Sequence, residues 1–334
     1  MKVLYAIQGT GNGHLSRARD IIPVLQKKNI QLDILVSGTQ ADVKLPYAVK
    51  YQLKGWSFIF GKKGGVDMWR TYLKTNSARF QKEMRSVPVE SYDLVINDFE
   101  PITAWACKFK HLPCIGLSHQ AAVLSAHSPK PEKSDLLGKT ILKNYSPTTT
   151  RYGFHFQNYD DKMFTPIIRQ EIRIATRTAG NHYTVYLPSY SDDKIIHMLS
   201  KIKGIDWRVF SKHTKSKYFW KNISIYPIDN TSFIHSMASG AGILCGAGFE
   251  TPAEALHMQK KLMVIPMKGQ YEQQCNAAAL KEMGVPVIKS LKPKHLDKLR
   301  NWVDTESRTE VFYPDLTEYI IHRVLDESLV GHTV

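Results

Sequence analysis

The chain has 334 residues, 43% hydrophobic and 22% charged, with 45 Lys and Arg against 30 Asp and Glu. That length exceeds one ordinary core and fits two domains, no apolar run approaches the roughly 18 residues of a membrane helix, and the start (3–7) is too short for a secretory leader. The net charge of +15 points to an anionic partner, whether nucleic acid, membrane surface or phosphorylated substrate, without choosing among them.

In chain order, residues 2–7 read as a strand, 15–28 as a helix, and 31–36, 49–53, 93–96 and 114–117 as strands, with a helix at 102–109. Short unbroken β-branched runs suit a sheet covered on both faces, and strand–helix alternation implies a parallel, doubly wound sheet. Residues 124–150 break into Ser, Pro, Lys and Thr, which predicts a long loop with a short helix at 135–144. A β-like stretch at 154–156 and a turn at Pro166 then form a hinge. Alternation restarts with strands at 183–187, 207–210, 223–226, 241–245, 262–265 and 285–288, and helices at 192–202, 231–238, 252–257, 270–283, 294–303 and 316–329. The expected fold is α/β: two Rossmann-like doubly wound domains facing a cleft, 1–160 and 161–312, with a closing helix in 313–334 that packs back on the first. Ligands in such folds bind at the carboxyl ends of the strands. Cys107, Cys114, Cys245 and Cys275 form no Cys-x-x-Cys pair and no disulfide framework, as expected of a reduced, cytoplasmic protein.

Gly9-Thr10-Gly11-Asn12-Gly13-His14 follows the first strand and opens the first helix. Closely spaced glycines let backbone approach a ligand, and the helix start behind them offers amides to an anion. The spacing does not match the dinucleotide fingerprint, whose acidic residue about 20 positions further on is also missing, and no Gly-Lys-Ser/Thr follows as a phosphate loop needs. His14 at the mouth of the cleft is a candidate general base; the alternative is a loop histidine that caps the helix.

The segment Cys245-Gly246-Ala247-Gly248-Phe249-Glu250-Thr251-Pro252-Ala253-Glu254 reads as strand, glycine turn and helix start, with Thr251 as N-cap. Amides after Gly248 would face a diphosphate, and Glu254 could accept from two ribose hydroxyls. The alternative for Glu254 is a capping box with Thr251. Gln273 and Gln274 open a later helix and could read sugar hydroxyls, or simply form a solvated face.

Taken together, these segments resemble the GT-B-fold glycosyltransferases that include the peptidoglycan N-acetylglucosaminyltransferase and the plant galactolipid synthases, and more closely a bacterial and archaeal branch of them. Gly9 to His14 matches that family's Gly-rich amino-terminal loop, with Gln8 and Asn12 replacing two glycines. Phe233, Ile234 and Met237 match the uracil-contacting segment, Gly248 to Glu254 the diphosphate and ribose loop, and residues 164–169 the interdomain segment. The resemblance implies an inverting transfer with His14 as base and Asp98, in Asn97-Asp98-Phe99-Glu100, as its acidic partner; for Asp98 the alternative is a helix N-cap. It implies donor contacts from Gly11, Gly13, Arg169, Ser189, Ile234, Gly248, Phe249, Glu250, Thr251, Glu254, Gln273 and Gln274. The co-substrate would be a nucleotide sugar, UDP-linked, with no further cofactor, and the acceptor lipid-linked or a glycan. Glu250 stands where the peptidoglycan enzyme carries an apolar residue, and no Asp precedes the paired glutamines, so the donor sugar stays open.

Many transferases neutralise the departing diphosphate with a metal on Asp-x-Asp, which is missing here; Asp160-Asp161 and Asp192-Asp193 are adjacent pairs. The expectation is a metal-free site in which the helix start at 248–251, with Arg169, stabilises the leaving group. Residues 54–85 mix lysines and arginines with Trp56, Phe58, Phe60, Trp69, Tyr72 and Phe80, which fits either an anionic membrane face or a helix packed on the sheet. The membrane reading would place a cytoplasmic enzyme on the inner face of the cell membrane. A nucleotide-sugar epimerase would share the architecture but needs several converging groups, for which only His14, Asp98, Glu100 and Glu250 are candidates. A non-catalytic nucleotide-sugar binder is the third reading; no nucleic-acid-reading motif appears.

Overall fold

The structure, a computed structural model, describes residues 1–38, 45–56, 77–133 and 135–330. The first half contains β1 (Lys2–Gln8), α1 (Asn12–Gln26), β2 (Gln31–Ser37), β3 (Tyr51–Leu53), α2 (Ser77–Ser86), β4 (Leu94–Asp98), α3 (Pro101–Phe109), β5 (Ile115–Ser118), α4 (His119–Leu124), α5 (Leu136–Tyr145), β6 (Thr150–Phe154) and β7 (Met163–Phe164). Its strands form a 7-stranded parallel sheet in the order β3-β2-β1-β4-β5-β6-β7.

The second half contains α6 (Gln170–Arg173), β8 (His182–Tyr186), α7 (Asp192–Leu199), β9 (Asp206–Ser211), β10 (Tyr218–Trp220), β11 (Ile223–Pro227), α8 (Asn230–Ser239), β12 (Gly242–Gly246), α9 (Glu250–His257), β13 (Lys261–Ile265), α10 (Tyr271–Glu282), α11 (Leu296–Asp304) and α12 (Thr317–Val330). Here the order is β10-β11-β9-β8-β12-β13, parallel except for β10 on β11. The apolar runs behave as doubly covered strands do: Val3, Leu4, Tyr5, Ala6 and Ile7 of β1 are each 0% exposed.

Each strand order reverses once, between β1 and β4 in the first sheet and between β8 and β12 in the second. Loops leaving two adjacent strands in opposite directions open a crevice at their carboxyl ends. The Gly9–His14 loop and Asp98 therefore share one crevice, and the turn after β12 lies at the other.

The expected strand at 285–288 makes only a single bridge, Val264 to Val287, because Pro286 has no N–H to give to a ladder. Helix α1 starts at Asn12 instead of residue 15, with Gly11 extended at its N-cap and no side chain capping it. This brings His14 and Arg17 onto one helical face. The last helix, α12, lies against α1: Ile320, Ile321 and Val324, each 0% exposed, join Leu15, Ala18 and Ile22 in one core. Arg323 of α12 also donates to the Asp161 carbonyl at 2.8 Å.

Of the basic aromatic stretch, residues 57–76 lie outside the described residues. Of the remainder, Trp56 stacks on Phe80 of α2 with ring centroids 4.3 Å apart, and Phe80 is buried against the sheet. Among the described residues, no helix is long and apolar enough to cross a membrane. The four cysteines are free and buried.

Candidate active site

Between the carboxyl ends of the two sheets lies a cavity of about 700 Å³, within the range of small-molecule sites. On the first-domain side its wall is the glycine loop, Phe99, Gln120 and the inner face of α5; on the second it is Tyr186, Phe210, Phe233 and the turn leading into α9.

His14 enters from the first turn of α1, and its Nδ1 lies 2.8 Å from Asp98 Oδ1 at the end of β4. Asp98 is fully buried and also accepts from Arg17 Nη2 at 2.7 and 2.8 Å. Burial pushes the Asp98 carboxyl up, but the Arg17 guanidinium and His14 outweigh it and hold the group below the usual carboxylate range. An ionised Asp98 takes the Nδ1–H of His14, leaving Nε2 with its lone pair 3.5 Å from Gln120 Nε2. That is the tautomer of a base. Asp98 does not cap a helix; Glu100 caps α3, accepting from the amides of Ile102 and Thr103 at 2.6 and 2.7 Å. Glu100 also binds Ser37, so it is a structural group away from the cleft. Phe99, between the two acids, has φ +57, a conformation that is rare for a bulky residue and frequent at functional sites. Its ring lies nearly parallel to His14, 6.2 Å away.

On the facing side, α9 starts at Glu250, with Phe249 in the N-cap position and no side-chain cap. The expected Thr251 cap is not made, because the helix begins before it. The first-turn amides of Glu250 and Thr251 thus have no side-chain partner among the described residues, and both residues line the cavity beside Gly248, whose missing Cβ would meet open space. Nor does Glu254 form a capping box. It is 3% exposed and accepts from Arg169 Nε at 2.6 Å and Nη2 at 3.0 Å, while Arg169 Nη1 holds Asn230 at 2.8 Å. Arg169 is therefore engaged with Glu254 as well as lining the cavity.

The two domains meet at several polar and aromatic pairs. Arg17 donates through Nη1 to Glu250, and a Cβ on Gly13 would come within 2.9 Å of the Glu250 side chain. A side chain at that position would force Glu250 to shift. Burial, opposed by Arg17, pushes the Glu250 carboxyl up to about 7. His119 lies flat on Phe249 at 3.9 Å, with its ring nitrogens 2.7 Å from the Phe154 carbonyl and 2.7 Å from Asn276 Oδ1. Gln120 donates to Glu272 at 3.0 Å.

Of the residues anticipated from sequence, Gly11, Gly13, His14, Arg169, Gly248, Phe249, Glu250, Thr251, Glu254 and Gln273 line the cavity, with Asp98 directly behind His14. Ser189, Ile234 and Gln274 are not on its wall, while Phe233, beside Ile234 in the same segment, is. Gln273 and Gln274 are consecutive on α10 and so about 100° apart, which allows only one to face inward. Gln273 also accepts from the Met267 amide at 2.9 Å, bracing the turn before α10. Arg17, His119 and Gln120 went unnoticed; for Arg17 the signal was its spacing of three from His14.

Among curated proteins none matches the sequence. Solved structures share the fold: MurG of Acinetobacter baumannii is 14% identical, covering 97% of this chain and 99% of its own, with a TM-score of 0.58. The glycosyltransferase SnogD of Streptomyces nogalater is 11% identical over 98% of this chain and 99% of its own, with a TM-score of 0.55. MnaA of S. aureus, solved with UDP, is 10% identical over 100% and 98%, with a TM-score of 0.64. Residues 1–304 match the profile of glycosyl transferase family 1. Through that match the chain belongs to glycosyl transferase family 1, and its two facing sheets give this glycosyltransferase the GT-B fold.

Proposed function

We propose an inverting, metal-independent transfer from a UDP-sugar to a hydroxyl of a lipid-linked or glycan acceptor. The observation that carries the reading is the His14–Asp98 pair at 2.8 Å, with Nε2 left as the acceptor across the cavity from the uncapped start of α9. In this reading the acceptor oxygen gives its proton to His14 Nε2 and attacks the anomeric carbon. The bond from that carbon to the diphosphate breaks, and the departing anion keeps the electron pair. The α9 amides stabilise it with fixed dipoles, which need no reorganisation as charge develops. Glu254, oriented by Arg169, receives the ribose hydroxyls, and Phe233, in edge contact with Tyr186 and Phe210, borders the base. Uridine is taken from the sequence resemblance; of the structures that share the fold, MnaA is solved with UDP and SpnG with thymidine diphosphate. Phe99, Tyr145 and the α5 side chains Ile141 and Leu142 would face the acceptor. Glu254 and Glu250 are each paired with an arginine, and the leaving group has amides to meet it, which favours a metal-free mechanism.

The test is turnover of UDP-glucose, UDP-galactose and UDP-N-acetylglucosamine, followed by UDP release and by proton NMR of the first sugar anomer formed. An α-linked donor should give the β product. Retention of configuration, or the failure of every uridine donor where another nucleotide sugar reacts, would overturn the corresponding part. His14→Gln should still bind UDP and lose about 10²-fold or more in turnover.

A further inference from the structure

The base pair and the donor loop belong to different domains, yet a single buried cation joins them. Arg17 is 2% exposed; its Nη2 holds both oxygens of Asp98 at 2.7 and 2.8 Å and stands 3.3 Å from His14 Nδ1. Its Nη1 holds Glu250, the first residue of α9, and its plane lies 5.2 Å from the Phe154 ring. A guanidinium presents its donors in a rigid fork, so fixing one arm on Asp98 dictates where the other arm reaches. A lysine at the same place would be a point charge able to satisfy one carboxylate at a time.

We propose that Arg17 is a positioning residue of the transfer: it locks Asp98, and through it the tautomer and aim of His14, while its second arm registers this pair against the donor loop at Glu250. The proposal rests on the reading of His14 as base. With Arg17 in place, Asp98 keeps one orientation and His14 presents Nε2 to the cavity. Without it, Asp98 loses two of its three hydrogen bonds and becomes free to rotate, and the reacting atoms lose their register across the cleft. A misplacement of about 1 Å in such a constellation costs roughly 10²-fold in rate.

The experiment compares wild type with Arg17→Met, Arg17→Lys and Glu250→Gln by three readouts: thermal melting with and without UDP, kcat and KM, and nitrogen-15 NMR of the histidine rings, with the His14 signal assigned from His14→Gln. The expected result is UDP affinity within about threefold of wild type for Arg17→Met and Arg17→Lys, with kcat lowered roughly 10²-fold in Arg17→Met and partly restored in Arg17→Lys. Glu250→Gln leaves Asp98 bonded to Arg17 and weakens only the second arm, so it should lower kcat by less than Arg17→Met does and keep the wild-type His14 tautomer. In the NMR spectrum, wild-type His14 should carry its proton on Nδ1 and Arg17→Met should show mixed tautomers. If Arg17→Met does not fold, the Arg17→Lys and Glu250→Gln pair decides by the same readouts. A folded Arg17→Met or Arg17→Lys protein with wild-type kcat and tautomer overturns the proposal. A tautomer change in a protein that turns over no nucleotide sugar would instead sink the assigned function while leaving the positioning role standing.

Discussion

Replacing Asp98 by Asn preserves the side chain's shape and removes its charge. The carboxylate accepts from His14 at 2.8 Å and from Arg17 at 2.7 and 2.8 Å, so an amide nitrogen must face a donor whichever way the group turns. With the nitrogen toward Arg17, a buried guanidinium loses an acceptor and half of its countercharge. With the nitrogen toward His14, the imidazole must accept at Nδ1 and carry its proton on Nε2, where it can no longer act as base. Leaving a buried charge without its partner costs about 3–5 kcal/mol, reduced here because Glu250 still holds the other arm of Arg17. Loss of a positioned base costs about 10²–10⁴-fold in rate, or roughly 3–5 kcal/mol of barrier. We therefore expect Asp98→Asn to melt several degrees lower, to bind UDP as wild type does, and to release UDP from its donor about 10³-fold more slowly. Differential scanning fluorimetry and a coupled UDP-release assay measure the two effects on one preparation. A folded variant with kcat within about threefold of wild type would refute the reasoning, since no base oriented by Asp98 could then be in use.

Other expectations follow from the same geometry. The Glu250 carboxyl is raised from 4.5 to about 7, so the folded chain keeps that proton after the unfolded chain has lost it, and this group's contribution turns unfavourable as pH rises from 4.5 to 7. Relative to wild type, Glu250→Gln should gain on the order of 3 kcal/mol between pH 4.5 and 8, read from urea midpoints; a constant difference across that range would refute it. Turnover should survive EDTA and not be stimulated by magnesium or manganese, and strong inhibition by the chelator would contradict metal-free departure of the diphosphate. Ile321→Ala on α12, at a site with 0% exposure, should destabilise by about 2–5 kcal/mol in urea unfolding, and an unchanged midpoint would show that the helix does not hold the first domain.

The sheets were legible because their strands are short, unbroken apolar runs and because each glycine turn punctuates a strand–helix junction. The alternation puts a glycine turn before each of α1 and α9, but the helices themselves start at Asn12 and Glu250 instead of residues 15 and 252. What escaped depends on pairs far apart in sequence. Arg17 meets partners at positions 98 and 250, which its spacing of three from His14 does not reveal, and Arg169 is among the expected donor contacts although its pairing with Glu254 is not visible locally. Residues 285–288 have strand composition, yet Pro286 cannot donate to a ladder and the segment stays a single bridge. Helix α4 is only six residues long and was lost in the polar run after β5, and with it went His119 and Gln120, which reach across to Asn276 and Glu272. The edge strand β10 was hidden by its lysine-rich surroundings, where it pairs antiparallel with β11.

Because α12 is part of the core beneath α1, the polypeptide passes between the halves twice, outward after β7 and homeward after α11. Any opening of the crevice must bend both crossings together, which confines the motion to rotation about a line joining them. A single cut in either crossing leaves the halves tethered by the other, so proteolysis at one site should not release a separate donor-binding half.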